Sequence, residues 1–302
     1  MDYKSLIKSR NLRIKIMQFL SFIPDELMLK IQYRIKTGNK LNLKNPQRFT
    51  EKLQWYKLNY RDPLMVQCVD KYDVRKYVED CGLGHILNEI YGVYDSPEEI
   101  EFSLLPDSFV IKDTLGGGGN SVITVLDKSK MKEEEVRNQM QSWVDEPTKK
   151  KHPGREWVYD SRKHRIIIEK YIEGNQALGG LRDYKFFCFD GKVEFIYIMG
   201  DREVGNKVSV SILDRNFQLM PIKRVGDELF NHIEKPSNYD ELLEIAETLA
   251  YEFPHVRVDL YNENEKVLFG ELTFYNASGY MKYEPDEFDY EIGDKFMLNL
   301  KE

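Results

Sequence analysis

The order of elements in the sequence predicts an α+β chain: helices lead, two hairpins with strong turn signals follow, and the two never alternate regularly as in a doubly wound sheet. Three stretches carry this expectation. From Phe49 to about Asp80 the text is helical around an Arg61-Asp62-Pro63 turn. KFFCF and KVEFIYIM flank Asp190-Gly191, a signal for a two-residue hairpin turn. HVRVDLY and KVLFGELTFY flank the polar NENE segment and form a last hairpin.

The elements follow in order. In the first forty residues Lys4, Lys8, Arg10, Arg13, Lys15, Lys30, Arg34, Lys36 and Lys40 oppose only Asp2, Asp25 and Glu26. Leu6, Ile7, Ile14, Met17 and Leu20 recur at helical spacing, and Pro24 breaks the pattern before a second helix, DELMLKIQYRI. Such a start fits either a helical cap packed on the main domain or contact with an anionic membrane surface. HILNEIYGVYDSPEEI gives a short strand and a polar connection; SFVIK (108–112) and VITVLD (from Val122) read as strands on either side of DTLGGGGNS. A helix follows around Lys132 to Val144, and then DEPTKKKHPGRE, which reads as a mobile loop. RIIIEKYIEG is a buried strand with a charged exit, and DELLEIAETLAYEF is an amphipathic helix.

Composition bounds the function. Hydrophobic residues are 41% of 302, enough for a sizeable core, and a net charge of −7 argues against a general nucleic-acid binder. Cys68, Cys81 and Cys188 form no CxxC pair, so neither a disulfide framework nor a zinc site is expected; Cys188 reads as a small buried apolar residue. No apolar run precedes a small-residue cleavage site, and nowhere do about 20 apolar residues run together. The expectation is a cytoplasmic chain, with the basic start as the candidate for peripheral contact with the inner membrane surface.

Gly116, Gly117, Gly118 and Gly119 are the loudest local feature. Without side chains, such a loop brings backbone N–H groups close to phosphate oxygens. No Lys-Ser/Thr pair follows, and the next element is a strand, so it is neither a Walker A loop nor a dinucleotide fingerprint. What remains is a glycine tip on a hairpin, a lid over a nucleotide or merely a flexible loop.

In the last hairpin, period two puts Val256, Val258 and Leu260 on one face and Arg257, Asp259 and Tyr261 on the other. In its partner strand Leu268, Gly270, Leu272 and Phe274 share one face, and Phe269, Glu271 and Thr273 the other. A turn centred near Asn264 sets Arg257 opposite Glu271, with Asp259 diagonal. Two converging carboxylates suit Mg²⁺ completed by phosphates and water; the plainer alternative is an Arg257–Glu271 surface salt bridge.

Glu169 ends a buried strand, where free backbone groups suit an adenine edge; alternatively it only marks the strand's charged boundary. Lys71 and Lys112 are candidate phosphate ligands or merely solvated lysines; Lys185, which period two places with Glu194 opposite an apolar face of Tyr184, Phe186, Cys188, Phe195 and Tyr197, either reaches phosphate as well or simply pairs with Glu194. Arg202 and the Asn276–Gly279 turn, with Ser278, are candidates for acceptor recognition; Arg202 otherwise pairs with Asp201 or Glu203.

The order of DK, a strand ending in Lys, a glycine hairpin, EKYI and a late acidic strand pair resembles the ATP-grasp superfamily. NPQRFTEKLQWYKLNYRDPLM, VDKYDVRKYV, LRDYKFFCFDGK, FPHVRVDLY and FGELTFYNASGY resemble its TupA-like branch, named for teichuronopeptide biosynthesis, from about Leu41 onwards. The resemblance implies an ATP-grasp fold with the nucleotide between a central glycine-loop subdomain and a C-terminal antiparallel-sheet subdomain. Its implied divisions are a helical extension (1–48), an N-terminal subdomain (49–107), the central subdomain (108–174) and the C-terminal subdomain (175–302).

The resemblance also implies roles. Lys71 and Lys112 contact ATP phosphates, and Gly116 to Gly119 with Asn120 and Ser121 close over them. Glu169, Tyr171 and Ile172 form the adenine hinge, Lys185 and Arg257 act on the transferring group, and Asp259 and Glu271 bind Mg²⁺. Thr273 stands where many relatives carry Asn, so either its hydroxyl or Asn276 completes the metal site. The implied activity is carboxylate–amine ligation through an acyl phosphate in surface-polysaccharide biosynthesis, on a small-molecule amine and a sugar acid or polysaccharide precursor. A phosphotransferase or a noncatalytic nucleotide-binding protein of the same pathway is the alternative.

Overall fold

A computed structural model describes residues 19–117, 121–145, 151–174, 181–200, 209–231 and 233–298. Gly118, Gly119, Asn120, Arg202 and most of the basic start lie outside these described residues.

Four helices lead: α1 (Asp25–Thr37), α2 (Phe49–Asn59), α3 (Pro63–Cys68) and α4 (Val74–Asp80). Their ends follow from local chemistry. α1 stops at Gly38, whose φ of 85° is the left-handed conformation that closes a helix. The Arg61-Asp62-Pro63 turn becomes the start of α3, with Asp62 accepting from the Leu64 N–H at 2.9 Å and Pro63 in the first turn. Glu51 reaches back to the N–H groups of Asn42, Gln47 and Arg48 and fixes the entry to α2.

A four-stranded antiparallel sheet follows, built from β1 (Ile90–Tyr94), β2 (Phe109–Asp113), β3 (Val122–Val125) and β4 (Ile166–Lys170) in the order β1-β4-β2-β3. α5 (Glu133–Val144) closes it: Met140 and Trp143 pack with Phe109, Ile111, Ile166 and Ile168. The second sheet has five antiparallel strands. β5 (Asp183–Phe189), β6 (Lys192–Gly200), β7 (Ser209–Asp214), β9 (His255–Glu263) and β10 (Lys266–Thr273) lie in the order β10-β9-β5-β6-β7. A small pair, β8 (Lys223–Arg224) with β11 (Tyr283–Glu284), sits beside it.

α6 (Tyr239–Ala250) lies against β5, β6 and β9, burying Leu242, Ile245, Ala246 and Leu249 with Phe186, Cys188, Val256 and Val258. The opposite face changes character along its length. At one end Phe187, Phe189 and His255 meet Phe49 of α2 and Phe296 beyond α7 (Phe288–Lys295). At the other end the same face carries Asp183, Lys185, Arg257 and Asp259.

Both hairpin turns use two left-handed residues, Asp190 and Gly191 (φ 45° and 73°) and Asn264 and Glu265 (φ 50° and 63°). Each hairpin then contains a β-bulge that strict alternation misses. In β10 the register slips between Phe269 and Glu271, so Asp259, not Arg257, faces Glu271, and Arg257 faces Thr273. The turn, at Asn264 and Glu265 rather than centred on Asn264, exchanges two side chains: Phe269 joins Leu260 on the core face, and Leu268 moves to the face of Tyr261. In the other hairpin Phe187 pairs with Phe195 but Cys188 with Val193, leaving Glu194 as the extra residue. Lys185 therefore faces Tyr197, and Phe195 and Tyr197 lie on its side of the sheet rather than with Tyr184 and Phe186. Glu194 pairs with Lys295 at 3.1 Å instead of with Lys185.

Candidate active site

The bulge at Gly270 builds the charged cluster. A Cβ on Gly270 would lie 2.9 Å from the Asp259 carbonyl oxygen, so only glycine lets the strands approach at the slip. Past it, Glu271 lands directly across from Asp259, with Thr273 on the same face. Without the slip, Glu271 would face Val258 and the apolar core.

Arg257 organises what converges there. Its Nε donates to Asp259 Oδ1 at 2.7 Å and one terminal nitrogen to Oδ2 at 2.7 Å, a bidentate pair. The same nitrogen reaches Glu271 Oε1 and Thr273 Oγ1, each at 3.0 Å, and the other terminal nitrogen bonds Asn276 Oδ1. Lys185 donates to Asp259 Oδ2 and pairs with Asp183 at 2.8 Å. Arg257, Asp259 and Lys185 are buried, whereas the Glu271 side chain is 43% exposed and marks the mouth of the cluster.

Burial works to raise the Asp259 carboxyl, against the pull of Arg257 and Lys185. Burial also opposes ionisation of Glu271, but Arg257, Lys185, Lys71 and the Thr273 hydroxyl together hold it down to about 2. Lys71 belongs to the other side of the site, that of the glycine-loop stem.

On that side, Lys71 follows Asp70, whose buried carboxylate accepts from the N–H groups of Tyr72 and Asp73 and pairs with Arg165 at 3.0 Å. The Lys71 backbone donates to the Thr114 carbonyl at 3.0 Å, and its ammonium rests on the carbonyls of Asp113 and Gly116. Burial lowers its pKa, opposed by Glu271 and Asp113. The stem of the glycine loop is tied by Asp113, which accepts from the Leu115 N–H at 3.0 Å and pairs with His164 at 2.8 Å. A side chain at Gly116 would collide with Ser121, so this glycine closes the stem. Lys112 and Glu169, on the neighbouring strands β2 and β4, form an ion pair.

Beyond β4, Tyr171 and Ile172 line a cleft of about 810 Å³ whose far wall is the β9–β10 hairpin, including Glu263, Lys266 and Leu268. Leu268, across from Tyr261, is among the residues on this far wall. The Lys170 carbonyl at its edge accepts from Asn88 Nδ2 at 2.8 Å.

The Asn276–Gly279 turn closes the other flank. Ala277, Ser278 and Gly279 all have positive φ (44°, 55° and 68°), and α2 braces them. Gln54 donates to the carbonyls of Ser278 and Gly279, and fully buried Lys57 to Ser278 O at 2.8 Å and Gly154 O at 3.0 Å. Burial lowers Lys57 to about 7 despite Glu156, which accepts the Ser278 hydroxyl. Asn276 is buried, and its Nδ2 has no partner among the described residues.

Lys185, Arg257, Asp259, Glu271, Thr273 and Asn276 are thus joined in one hydrogen-bonded cluster, and Lys112 with Glu169 in another. Ser278 is tied to Glu156 rather than to the cluster, while Gly117 is exposed in the loop. Sequence reasoning missed Asp183, the Asp113–His164 pair, and Lys57 with Glu156. Asp183 had a signal, standing two residues before Lys185 on the same strand face; the other two pairs join distant segments and had none.

Among the described residues no three His, Cys, Asp or Glu side chains form a metal site by themselves. Asp259 and Glu271 nonetheless fit Mg²⁺, which takes one or two carboxylates and leaves its other positions to phosphate and water. Three N–H bonds to Asp259 leave one of a carboxylate's roughly four acceptor positions, and Arg257 and Thr273 both bond the same oxygen of Glu271.

A family model described as TupA-like ATPgrasp matches residues 51–297. No curated protein matches the chain. Among solved structures it is similar to D-alanine–D-alanine ligase from Bacillus anthracis (19% identity, 69% of this chain, 57% of that chain, TM-score 0.42). It is also similar to the Helicobacter pylori D-alanine–D-alanine ligase (12% identity, 85% and 68% covered, TM-score 0.43). A third is the ADP complex of N5-carboxyaminoimidazole ribonucleotide synthetase (14% identity, 74% and 50% covered, TM-score 0.39). The chain spans little more than half the length of the first of these, 57%.

Proposed function

The chain belongs to the TupA-like ATP-grasp family, and from that membership we propose that it is an ATP-dependent carboxylate–amine ligase of surface-polysaccharide biosynthesis. The observation that carries the proposal is the bulged hairpin: Asp259 and Glu271 face one another, with Arg257 and Lys185 against them.

In this reading ATP lies between the two sheets. Tyr171 and Ile172 hold the base with Glu169, Lys71 and Lys112 meet the phosphates, and Gly116 to Ser121 cover them. Asp259 and Glu271, with Thr273 or Asn276, hold Mg²⁺, which supplies charge neutralisation on the phosphates. A substrate carboxylate oxygen attacks the γ-phosphorus, the bond to the β-phosphate oxygen breaks, and ADP leaves. An amine then attacks the acyl carbon, phosphate departs with the bonding pair, and the nitrogen loses a proton to give the amide. Arg257 and Lys185, buried and fixed by Asp259, present preorganised positive charge to this exchange. Arg202, Asn276 and Ser278 recognise the acceptor, a uronic-acid or amino-acid carboxylate. The setting is cytoplasmic.

The test incubates the chain with Mg²⁺, ATP, pooled uronic acids and amines, and follows ADP release and product masses. The proposal requires ADP release that depends on both a carboxylate and an amine, with a product lighter than their sum by one water. A phosphorylated sugar would replace it with a phosphotransferase, and the absence of turnover with every pair would sink it.

A further inference from the structure

α1 is apolar on two sides, and among the described residues only one is buried. Met28, Leu29 and Tyr33 are buried, Leu29 and Tyr33 in a cluster with Leu41. Leu27, Ile31 and Ile35 recur every fourth residue and form a second ridge facing away from the core. With Phe19 and Phe22 just before the helix, these five side chains are between 41% and 78% exposed. Exposed Lys30, paired with Glu26, and exposed Arg34, which donates to the Gly38 carbonyl, run alongside the ridge, and exposed Lys40 and Lys44 follow it. Residues 1–48 hold eleven Lys and Arg against three Asp and Glu, in a chain whose net charge is −7.

We propose that this face of α1, with Phe19 and Phe22, docks in the plane of an anionic lipid surface. An apolar ridge bordered by cations is the composition of an interfacial helix: aliphatic and aromatic side chains enter the acyl boundary while Lys and Arg meet lipid phosphates. Charge selects this occupant over a second copy of the chain, because pairing two such faces would set one cationic segment against another. No helix among the described residues is long and apolar enough to cross a membrane, so attachment through α1 is peripheral. The inference stands apart from the chemistry of the cleft and does not depend on the ligase reading.

Flotation of the full chain with vesicles of phosphatidylcholine alone, or mixed with phosphatidylglycerol, tests it. Binding is expected to the mixed vesicles only, and to weaken as salt is raised. The full-length variant Leu27→Ser/Ile31→Ser/Ile35→Ser should lose at least about tenfold in partitioning, since each apolar side chain withdrawn from lipid removes transfer free energy. Lys30→Gln/Arg34→Gln should lose less, and only on anionic vesicles. An unchanged thermal midpoint in each variant shows that the fold survives. No binding to mixed vesicles, or undiminished binding by the Ser variant, overturns the proposal. So does concentration-dependent dimerisation that the Ser variant abolishes without any lipid binding by the parent.

Discussion

The two walls of the candidate site hold their cations in different ways. Lys185 and Arg257 are buried and share one carboxylate, Asp259, so their geometry is fixed before any ligand arrives. Lys71 instead rests on the backbone carbonyls of Asp113 and Gly116, whereas its neighbour Lys112 is paired with the buried Glu169 carboxylate. A carbonyl offers a dipole without net charge, so an incoming phosphate competes with it far more easily than with a buried carboxylate. The five-stranded sheet thus supplies a rigid, preorganised cluster. Across from it, at the stem of the glycine loop, Lys71 is a cation that a polyanion can redirect.

The largest effect that comparison predicts is at Asp259. Asp259→Asn leaves Lys185 and Arg257 buried with their shared charge partner gone. ATP turnover should fall by about 10²–10³-fold, and the thermal midpoint should drop because the buried cations keep only Asp183 and Glu271 as charge partners. Near-normal turnover with a lowered midpoint would mean the cluster is structural only. Gly270→Ala should come next. Its Cβ would press on the Asp259 carbonyl, and removing the bulge would turn Glu271 inward; a loss of about 1–3 kcal/mol in urea unfolding is expected. An Ala variant of parental stability would show that the bulge does not need glycine.

On the other wall the losses should be smaller and of a different kind. Lys71→Met should raise the KM for ATP by about tenfold, with little change in kcat, because its contact with phosphate forms on binding. An equal fall in kcat and kcat/KM would place Lys71 with the rigid pair and erase the contrast.

These contrasts also show what could be read from the sequence. The Asp190-Gly191 turn and the buried faces of HVRVDLY were legible, because β9 runs without a break and period two holds along it. The same rule failed in β10 and β6, where one extra residue reverses every side chain beyond it. Gly270 carried a warning, since an isolated glycine inside a strand often marks a bulge. Glu194 carried none: Val193, Phe195, Ile196, Tyr197 and Ile198 are apolar on both faces, so the pattern was silent about register. Contacts such as Asp113 with His164 join segments 51 residues apart and depend on the tertiary fold.

Glu271 links the two walls and gives the comparison a pH dependence. Its carboxyl is held at about 2, below the ordinary 4.5, so its contribution to stability is present above pH 4.5 and lost as the pH falls to about 2. Glu271→Gln should therefore flatten the acid side of the stability–pH curve, measured by urea midpoints. The change should be modest, because a side chain so exposed is screened by solvent. Parallel curves for parent and variant would show that the carboxylate does not sense the cations around it.

The smallest effect should come from Thr273→Asn, and it probes the rigid wall most finely. Thr273 accepts from Arg257 at 3.0 Å and donates to Glu271 at 3.2 Å, so its hydroxyl sits between the guanidinium and the more exposed carboxylate. An Asn side chain reaches about one bond further and offers a carbonyl oxygen, a better ligand for a hard cation than a hydroxyl, while its amide still donates to Glu271. The half-saturating Mg²⁺ concentration for ATP turnover should fall a few-fold, with kcat held within about twofold. Asn276 Oδ1 already accepts from Arg257, so Asn276→Ala in the Thr273→Asn background should cost less Mg²⁺ affinity than in the parent if either residue can complete the metal site. Equal costs in both backgrounds would assign Asn276 to holding Arg257 and leave Thr273 as the only candidate of the two for the metal.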